Sequence, residues 1–430
     1  MILVVGAGVT GLSFAACSKG DVVVCEGADA VGGYCRTTIR NGYVWDRAGH
    51  FFHFRNPSVR AFFDENIDSS RFVKVEKKTG IYIDTVGFID FPFQKNIHQL
   101  PKALYIKCLI DLYKASKSKI RARTFKEFVY STVGKEISDL FLIPYNQKLY
   151  ACDLDELDSN AMGRFFPKAT FEEVLLNAES NDNSSYNTEF SYPKGGAEEF
   201  VSVLQEKAQV NADIRLNSFI QGIDIENKVA TLSSGERVQY DVLINTMPFN
   251  RLCRLIGEEG AGGVLSANKV AVFNLGFDSK VDDEHHWLYY PGDEVFYRVG
   301  CYHNIFQDER ASLYVEIGLK ADEAIDEKQL LGRVLSDLCK VGLTCSSMKL
   351  VDYEFVLMDP AYVHINEASE VEKTRVKSVL AKKGVYTAGR YGDWKYCSIE
   401  DNIVEAANLA RLVSQENGVS EFVNVFGLIE

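Results

Sequence analysis

Gly6, Gly8 and Gly11 stand in GxGxxG spacing, and Glu26 follows twenty residues after Gly6. Glycines so spaced carry chemistry in one setting, between an apolar strand and the helix it feeds. This chain supplies both. "ILVV" (2–5) is a short, wholly apolar run, "GAGVTGLSFAAC" opens a helical pattern, and "DVVVCEG" (21–27) is a second buried strand ending at Glu26. The first glycine allows a tight turn, the second lets backbone amides reach a pyrophosphate, and the third lets helix and strand pack closely. The helix amino terminus adds positive potential, and the glutamate can accept from ribose hydroxyls. The segment therefore predicts a dinucleotide-binding βαβ unit.

Arg164 and Arg298 are a second chemical signal. They sit in "NAMGRFF" and "VFYRVGC", apolar contexts that are unusual for a solvated guanidinium. A planar guanidinium fork suits the oxygens of a diphosphate; a structural ion pair is the other use of a buried arginine. "GFIDFPFQKNI" (87–97) is a third, with Phe91 and Phe93 flanking Pro92 and Gln94 next. Two rings can grip a planar base while an amide reads its edge, and a strand ending in a turn is the plainer use. His285 and His286 are adjacent, so they would point to opposite faces of a strand and make no metal motif.

Such groups need a large scaffold. A chain of 430 residues implies two or three packed units. Hydrophobic residues at 46% and charged ones at 25% are ordinary for a globular chain. No apolar stretch reaches the ~18 residues that span a bilayer. "MILVVGAG" has no basic n-region of a signal peptide, so a cytoplasmic protein is expected. Ten cysteines occur without a CxxC pair, which suits free thiols in a reducing compartment. The net charge of −13 argues against nucleic acid or an anionic membrane as partner. An anionic ligand would have to be held by specific arginines against that field.

From about Ile97 to Ala178, "LPKALYIKCLIDLYKASKSK", "TFKEFVYSTVGKEISDLF" and "TFEEVLLNA" repeat apolar residues every three to four positions, predicting an inserted helical subdomain. "NAESNDNSSYN" (177–187) reads as a polar loop. "IQGIDIE", "VATLSS", "YDVLINTM", "KVAVFNLGF", "HWLYYPG", "VFYRVGCY", "SLYVEIGL" and "KLVDYEFVLM" read as strands of a large, mostly antiparallel sheet. The chain ends in a strand, "GVYTAGR" (384–390), and a helix, "SIEDNIVEAANLARLVSQ" (398–415), with Ser398 and Asp401 as a capping box. The expected fold class is α/β: a Rossmann-like domain with an inserted helical subdomain and a mostly antiparallel substrate sheet. The expected parts are 1–80, 188–250 and 376–430 for the nucleotide domain, with 81–96 as a substrate-sheet strand and base-pocket segment. The helical subdomain takes 97–187 and the antiparallel sheet 251–375.

"GADAVGGYCRT" (27–37) resembles the second glycine motif of the large FAD-binding family that includes amine oxidases and protoporphyrinogen oxidase. That implies FAD rather than NAD, with Gly33 close to the cofactor and Arg36 at its phosphates. "YTAGRYGDWKY" (386–396) resembles the family's closing segment, which implies Gly389 and Arg390 beside the flavin. The helix capped at Asp401 would aim its positive end at the flavin ring. Within that superfamily, "FPFQKNI" resembles the uridine pocket of the UDP-galactopyranose mutase family, and the likeness recurs as short motifs along nearly the whole chain, closest to the eukaryotic type. By that resemblance Phe91, Phe93 and Gln94 meet uracil, and "WDRAGHFFHF" (45–54) brings Gly49 and His50 against the isoalloxazine. "IPYNQKLYACDLDELDSNAMGR" (143–164) supplies Asn146, Tyr150 and Arg164, and "YNTEFSYPKGG" (186–196) supplies Asn187. "WLYYPGDEVFYR" (287–298) brings Tyr289 and Arg298 to the diphosphate, joined by Tyr396 and by Tyr362 from "DPAYVHIN" (359–366). Ile220 completes the expected cofactor contacts. The catalytic set is then His50, Arg164 and Arg298, with His50 a flavin neighbour rather than a base. Trp287, Trp394, Cys17, Cys25 and Cys35 read as packing. Phe91 stands where the family often has tyrosine, His53 where it is often aromatic, Tyr150 for a tryptophan and Ala48 for a glycine. These departures bear on the identity of nucleotide and sugar more than on the type of reaction.

The resemblance implies a ring contraction with no net redox change, in which pyranose and furanose forms interconvert through an iminium adduct at N5 of reduced FAD. It implies a UDP-sugar as partner and NAD(P)H or another external reductant, and leaves self-association open. Two other functions fit the same fold. One is a flavin oxidase or desaturase of the amine-oxidase type, which passes hydride to oxygen. The other is a flavin-free binding protein like the Rab GDP-dissociation inhibitors, against which the intact "GGYCRT" and "GRYGDWKY" count.

Overall fold

The computed structural model describes residues 1–50, 52, 54–180 and 189–428, so His53 and Asn187 lie outside the described residues. Ile2–Val5 forms the centre of a five-stranded parallel sheet, ordered Ala212–Arg215, Val22–Cys25, Ile2–Val5, Val242–Asn245, Val385–Thr387. The three middle strands are buried at every residue, as a parallel sheet covered on both faces requires. Alternation sorts their side chains. Ile2, Val4, Val22, Val24, Val242 and Ile244 pack under the helices Val9–Ala16, Glu198–Gln209 and Ile399–Asn417. Leu3, Val5, Val23 and Leu243 face the opposite way, onto Ile220, Ile223, Ala230 and Leu232 and onto Val376 and Leu380 of helix Glu367–Ala381.

The second layer is a seven-stranded sheet, ordered Leu350–Met358, Lys269–Phe277, Ser312–Leu319, Arg298–Cys301, Trp287–Tyr289, Thr79–Ile83, Gly87–Asp90. Its ladders are antiparallel except one, where Thr79–Ile83 runs parallel to Trp287–Tyr289. One face buries Ala271, Phe273, Val299 and Val315 against Val334 and Leu338 of helix Glu327–Lys340. The other, with Val270, Val272, Tyr289 and Tyr314, joins the core of the helical subdomain. That subdomain is built from Lys102–Ser116, Phe125–Val133 and Ile143–Tyr150, with shorter turns between. "TFKEFVYSTVGKEISDLF" is helical but not continuous. Gly134 breaks it at φ +81, and a Cβ there would lie 2.6 Å from the Asp111 carbonyl carbon, so the chain turns where only glycine fits.

The architecture is the α/β arrangement read from the sequence, with corrections in how strands are shared out. "IQGIDIE" and "VATLSS" do not enter the large sheet. Ile220–Asp224, Val229–Leu232 and Arg237–Gln239 form a three-stranded antiparallel sheet of their own. "YDVLINTM" contributes its buried VLIN to the parallel sheet. Alternation marks a strand but does not choose its partner. Part of the loop read at 177–187 is helix, since Phe171–Ser180 is helical; 181–187 lie outside the described residues. Ser398 and Asp401 do form the reciprocal capping box of the last long helix. Among the described residues no helix is long and apolar enough to cross a membrane.

Candidate active site

The turn after Ile2–Val5 opens onto a cavity of about 720 Å³. Gly6 has φ +99, and a Cβ on it would meet Thr246 Oγ1 at 2.5 Å; one on Gly11 would sit 1.9 Å from the Gly6 carbonyl oxygen. Gly8, the cap of helix Val9–Ala16, is different: among the described residues a Cβ there would meet nothing within 4 Å. The space before this helix end is open to the cavity. Gly32 N donates to Ala7 O at 2.8 Å, and a Cβ on Gly33 would lie 3.6 Å from Gly8, so the two glycine motifs meet over the helix N-terminus. The Glu26 carboxylate is fixed at the wall by Ala7 N at 2.7 Å and Ala28 N at 2.9 Å. Thr10, Gly33, Ile220 and the thiols of Cys25 and Cys35 line the same space. An open glycine turn, a helix N-terminus and a carboxylate at the next strand end fit the pyrophosphate and ribose of a dinucleotide.

A second cavity, of about 860 Å³, adjoins the first, and His50, Trp287, Arg298, Tyr362, Arg390 and Tyr396 line both. His50 Nε2 donates to the Tyr34 carbonyl at 2.8 Å, which holds the ring at the junction beside Gly49. Arg298 opens its strand opposite Glu316 and pairs with that carboxylate, which also accepts from Tyr297 OH at 2.5 Å. Arg298 Nε is buried and has no hydrogen-bond partner among the described residues, and its guanidinium lies 4.6 Å from the Trp287 ring centroid. Arg164 reaches the same cavity from the helical subdomain while both Asp401 oxygens accept from its Nη2, at 2.7 and 2.6 Å. The structure thus brings the two arginines to one cavity, each with one carboxylate.

Four tyrosines, Tyr145, Tyr289, Tyr362 and Tyr396, also line this cavity. Tyr289 stands 5.4 Å from Phe91 and 5.0 Å from Tyr145. Tyr362 stacks on Tyr396 at 5.9 Å, and Arg390 lies 4.7 Å over Tyr396. Burial pushes the Tyr396 phenol up to about 12 and raises that of Tyr289 as well, so these hydroxyls stay protonated as donors. Asn146 Nδ2 donates to Leu142 O at 2.7 Å, while its buried Oδ1 has no partner among the described residues. Six cations face this cavity: Lys77, Lys95, Arg164, Lys168, Arg298 and Arg390. Its two carboxylates, Glu173 and Glu400, are turned to backbone amides of Thr170 and of Arg55 and Asn56. Such a wall presents guanidinium and ammonium donors that can pair with anionic oxygens.

Several expected contacts lie off the walls. Phe93 is fully buried and packs on Phe141 at 5.4 Å, so of the two rings only Phe91 faces the cavity, with Pro92 beside it. Gln94 is also buried, and its amide donates to the Pro167 carbonyl. Tyr150 is core, 5.8 Å behind Tyr362. The cavity stripe of its helix runs through Leu142, Tyr145, Asn146 and Leu149, the spacing of one helical face, and Tyr150 falls past its edge. Asp401 is not on the dinucleotide cavity; its carboxylate accepts from Ser398 N and Oγ at 2.8 Å and from Arg164. Arg36 pairs with Asp29 at 3.1 Å off that wall. Gly389 is a backing residue: its N donates to Glu405, and a Cβ would strike Thr10 Oγ1 at 2.4 Å.

Trp287, Tyr145 and Lys77 are among the wall residues that escaped the sequence reading. Trp287, read as packing, lines both cavities. Tyr145 precedes Asn146 on the helix stripe, which the spacing of Asn146 and Leu142 could have shown. Lys77 carries no sequence signal: "EKKTG" reads as a solvated charge pair, and only the pairing of Thr79–Ile83 with Trp287–Tyr289 carries it inward.

A family model described as flavin containing amine oxidoreductase matches residues 15–414. The crystal structure of reduced UDP-galactopyranose mutase superposes with a TM-score of 0.88 at 21% identity, over 97% of this chain and 96% of that one. A CLA-producing fatty acid isomerase from P. acnes gives 0.67 at 13% identity, over 97% and 98%. Putrescine oxidase bound to putrescine gives 0.63 at 12% identity, over 96% and 99%. At these identities the likeness is one of fold.

Proposed function

Because the chain belongs to the flavin-containing amine oxidoreductase family, we propose that it is an FAD enzyme, and within that family a nucleotide-sugar mutase. It would interconvert the pyranose and furanose forms of a UDP-sugar, UDP-galactose or a close relative, with no net redox change. One observation carries the reading: a cavity lined by six cations and four tyrosines, Tyr145, Tyr289, Tyr362 and Tyr396, opens onto the glycine-lined dinucleotide cavity. The mutase-like fold supports it.

Reduced FAD supplies the covalent chemistry at the sugar's anomeric carbon, and NAD(P)H or another external reductant would keep it reduced. The chain's own part is binding and charge. Glu26 and the Gly8 helix end would hold ribose and pyrophosphate of the cofactor. Arg298 and Arg164 would grip the substrate diphosphate, with Tyr289, Tyr362 and Tyr396 donating to its oxygens. Holding the released diphosphate in place makes its return to the sugar an effectively unimolecular step. Phe91 offers a face to the base. His50 would orient the ring system from the junction through its fixed bond to the Tyr34 carbonyl.

Amine oxidation is the alternative within the family. Its substrate arrives as a cation, and a wall of arginines and lysines with both carboxylates turned away repels one. The test is anaerobic incubation of the dithionite-reduced protein with a panel of nucleotide sugars, with pyranose and furanose products separated by chromatography. Conversion of a UDP-sugar only after reduction supports the mutase. Oxygen-consuming turnover of an amine without added reductant overturns it.

A further inference from the structure

Lys77 occupies an unusual electrostatic position. Its ammonium lies 4.4 Å from the Trp287 ring centroid and 6.0 Å from that of Phe91, on the wall of the 860 Å³ cavity. Arg298 lies 4.6 Å from the same Trp287 ring. Two cations therefore share one indole. Arg298 has Glu316 as counter-charge, and the neighbouring Lys78 turns outward to Glu284. Lys77 has no carboxylate: among the described residues its only charged neighbour of consequence is Arg298, which repels it. His286, on the segment leading into Trp287–Tyr289, is held neutral by burial, which pushes it down to about 4. Tyr289 on the same strand is a protonated phenol.

A half-buried cation facing another cation is costly unless an anion comes between them. We propose that Lys77 is a third cationic contact to the ligand's diphosphate, closing on it together with Arg298 over the face of Trp287. The inference rests on the nucleotide-sugar reading for the identity of the ligand, but the anion site itself follows from the charges on the wall. Burial and then Arg298 push the Lys77 ammonium down to about 7. A ligand with roughly two negative charges reverses the second effect, so binding above neutrality draws a proton from solvent onto Lys77. Such a site favours a diphosphate over a neutral sugar and over an amine.

The experiment is calorimetric titration of the flavin-loaded protein with UDP, inorganic pyrophosphate and uridine, in wild type, Lys77→Met and Lys77→Arg. Lys77→Met is expected to weaken UDP and pyrophosphate about ten- to a hundredfold and to leave uridine unchanged. Lys77→Arg should restore most of the loss. At about pH 8, buffers of different ionisation enthalpy should reveal uptake of up to about one proton per UDP in wild type, and less in Lys77→Met. The flavin spectrum and melting temperature report that each variant is folded. Wild-type affinity for both anions in Lys77→Met overturns the proposal. If wild type binds pyrophosphate but not UDP, the nucleotide reading fails, and Lys77 stands or falls on the pyrophosphate arm alone. If wild type binds neither anion, both are overturned.

Discussion

Arg298 is bound into the fold and aimed at the ligand at once, and the two roles can be separated. Its side chain is 13% exposed and that of Glu316 1%. Removing one partner of a buried pair leaves an uncompensated charge and costs about 3–5 kcal/mol, whereas replacing both is often near neutral. Arg298→Met is therefore expected to lower the melting temperature and abolish turnover. The double change Arg298→Met with Glu316→Gln should recover most of the stability and none of the turnover, leaving kcat/KM down by on the order of 100-fold or more. Wild-type turnover in the double variant would remove Arg298 from the site. Gly8 allows the converse experiment. Its φ of −73 and ψ of −177 suit any residue, and a Cβ would enter open space. Gly8→Ala should leave the stability of the flavin-free chain within about 0.5 kcal/mol while the methyl group crowds the pyrophosphate. The flavin-to-protein ratio after purification should fall, and an unchanged ratio would place the pyrophosphate elsewhere.

Among the elements, the one parallel ladder of the seven-stranded sheet decides how the site is assembled. Thr79–Ile83 beside Trp287–Tyr289 brings Lys77, Phe91 and Tyr289 to one wall. His286 holds the entry to that ladder: its Nδ1 accepts from Lys78 N at 3.1 Å, and its own N donates to Lys78 O at 2.9 Å. The residue is 7% exposed, and burial, helped by the Lys78 charge, pushes its imidazole from an unperturbed value of about 6.5 down to about 4. The unfolded chain therefore takes the proton first. The stability His286 contributes is present above about pH 6.5 and is lost as the pH falls from there towards 4, on the order of 3 kcal/mol in all. His286→Gln keeps an acceptor for Lys78 N without the titration. It should flatten the change in unfolding free energy between about pH 7 and about pH 4, and equal slopes in the two proteins would clear His286 of the effect.

At the scale of the whole molecule, what the sequence made legible was local chemistry and what it hid was long-range partnership. The glycine turn, Glu26 and the capping box at Ser398 are set within a few residues of one another or along one βαβ unit, so their spacing carries them. The apolar runs at 2–5 and 21–27 identified two of the parallel strands for the same reason, whereas "YDVLINTM" reads as a strand of the antiparallel sheet. Phe93, Tyr150 and Asp401 went astray because residue type and motif say nothing of which side of a wall a ring or carboxylate takes. Lys77 and Trp287 were unreadable, since a ladder between segments 208 residues apart brings them together. The same contrast between local and global governs how a ligand arrives. The chain carries −13 overall, so a dianionic nucleotide is repelled while still outside, and attraction begins only within reach of the six cavity cations. Salt screens the outer field over about 30 Å at 0.01 M and about 8 Å at 0.15 M, but acts weakly on charges inside the cavity. Between those two salt concentrations, the association rate of UDP measured by stopped flow should rise. A steep fall would mean that the cavity's positive field reaches past the mouth and steers the ligand in, against the sign of the protein's own charge.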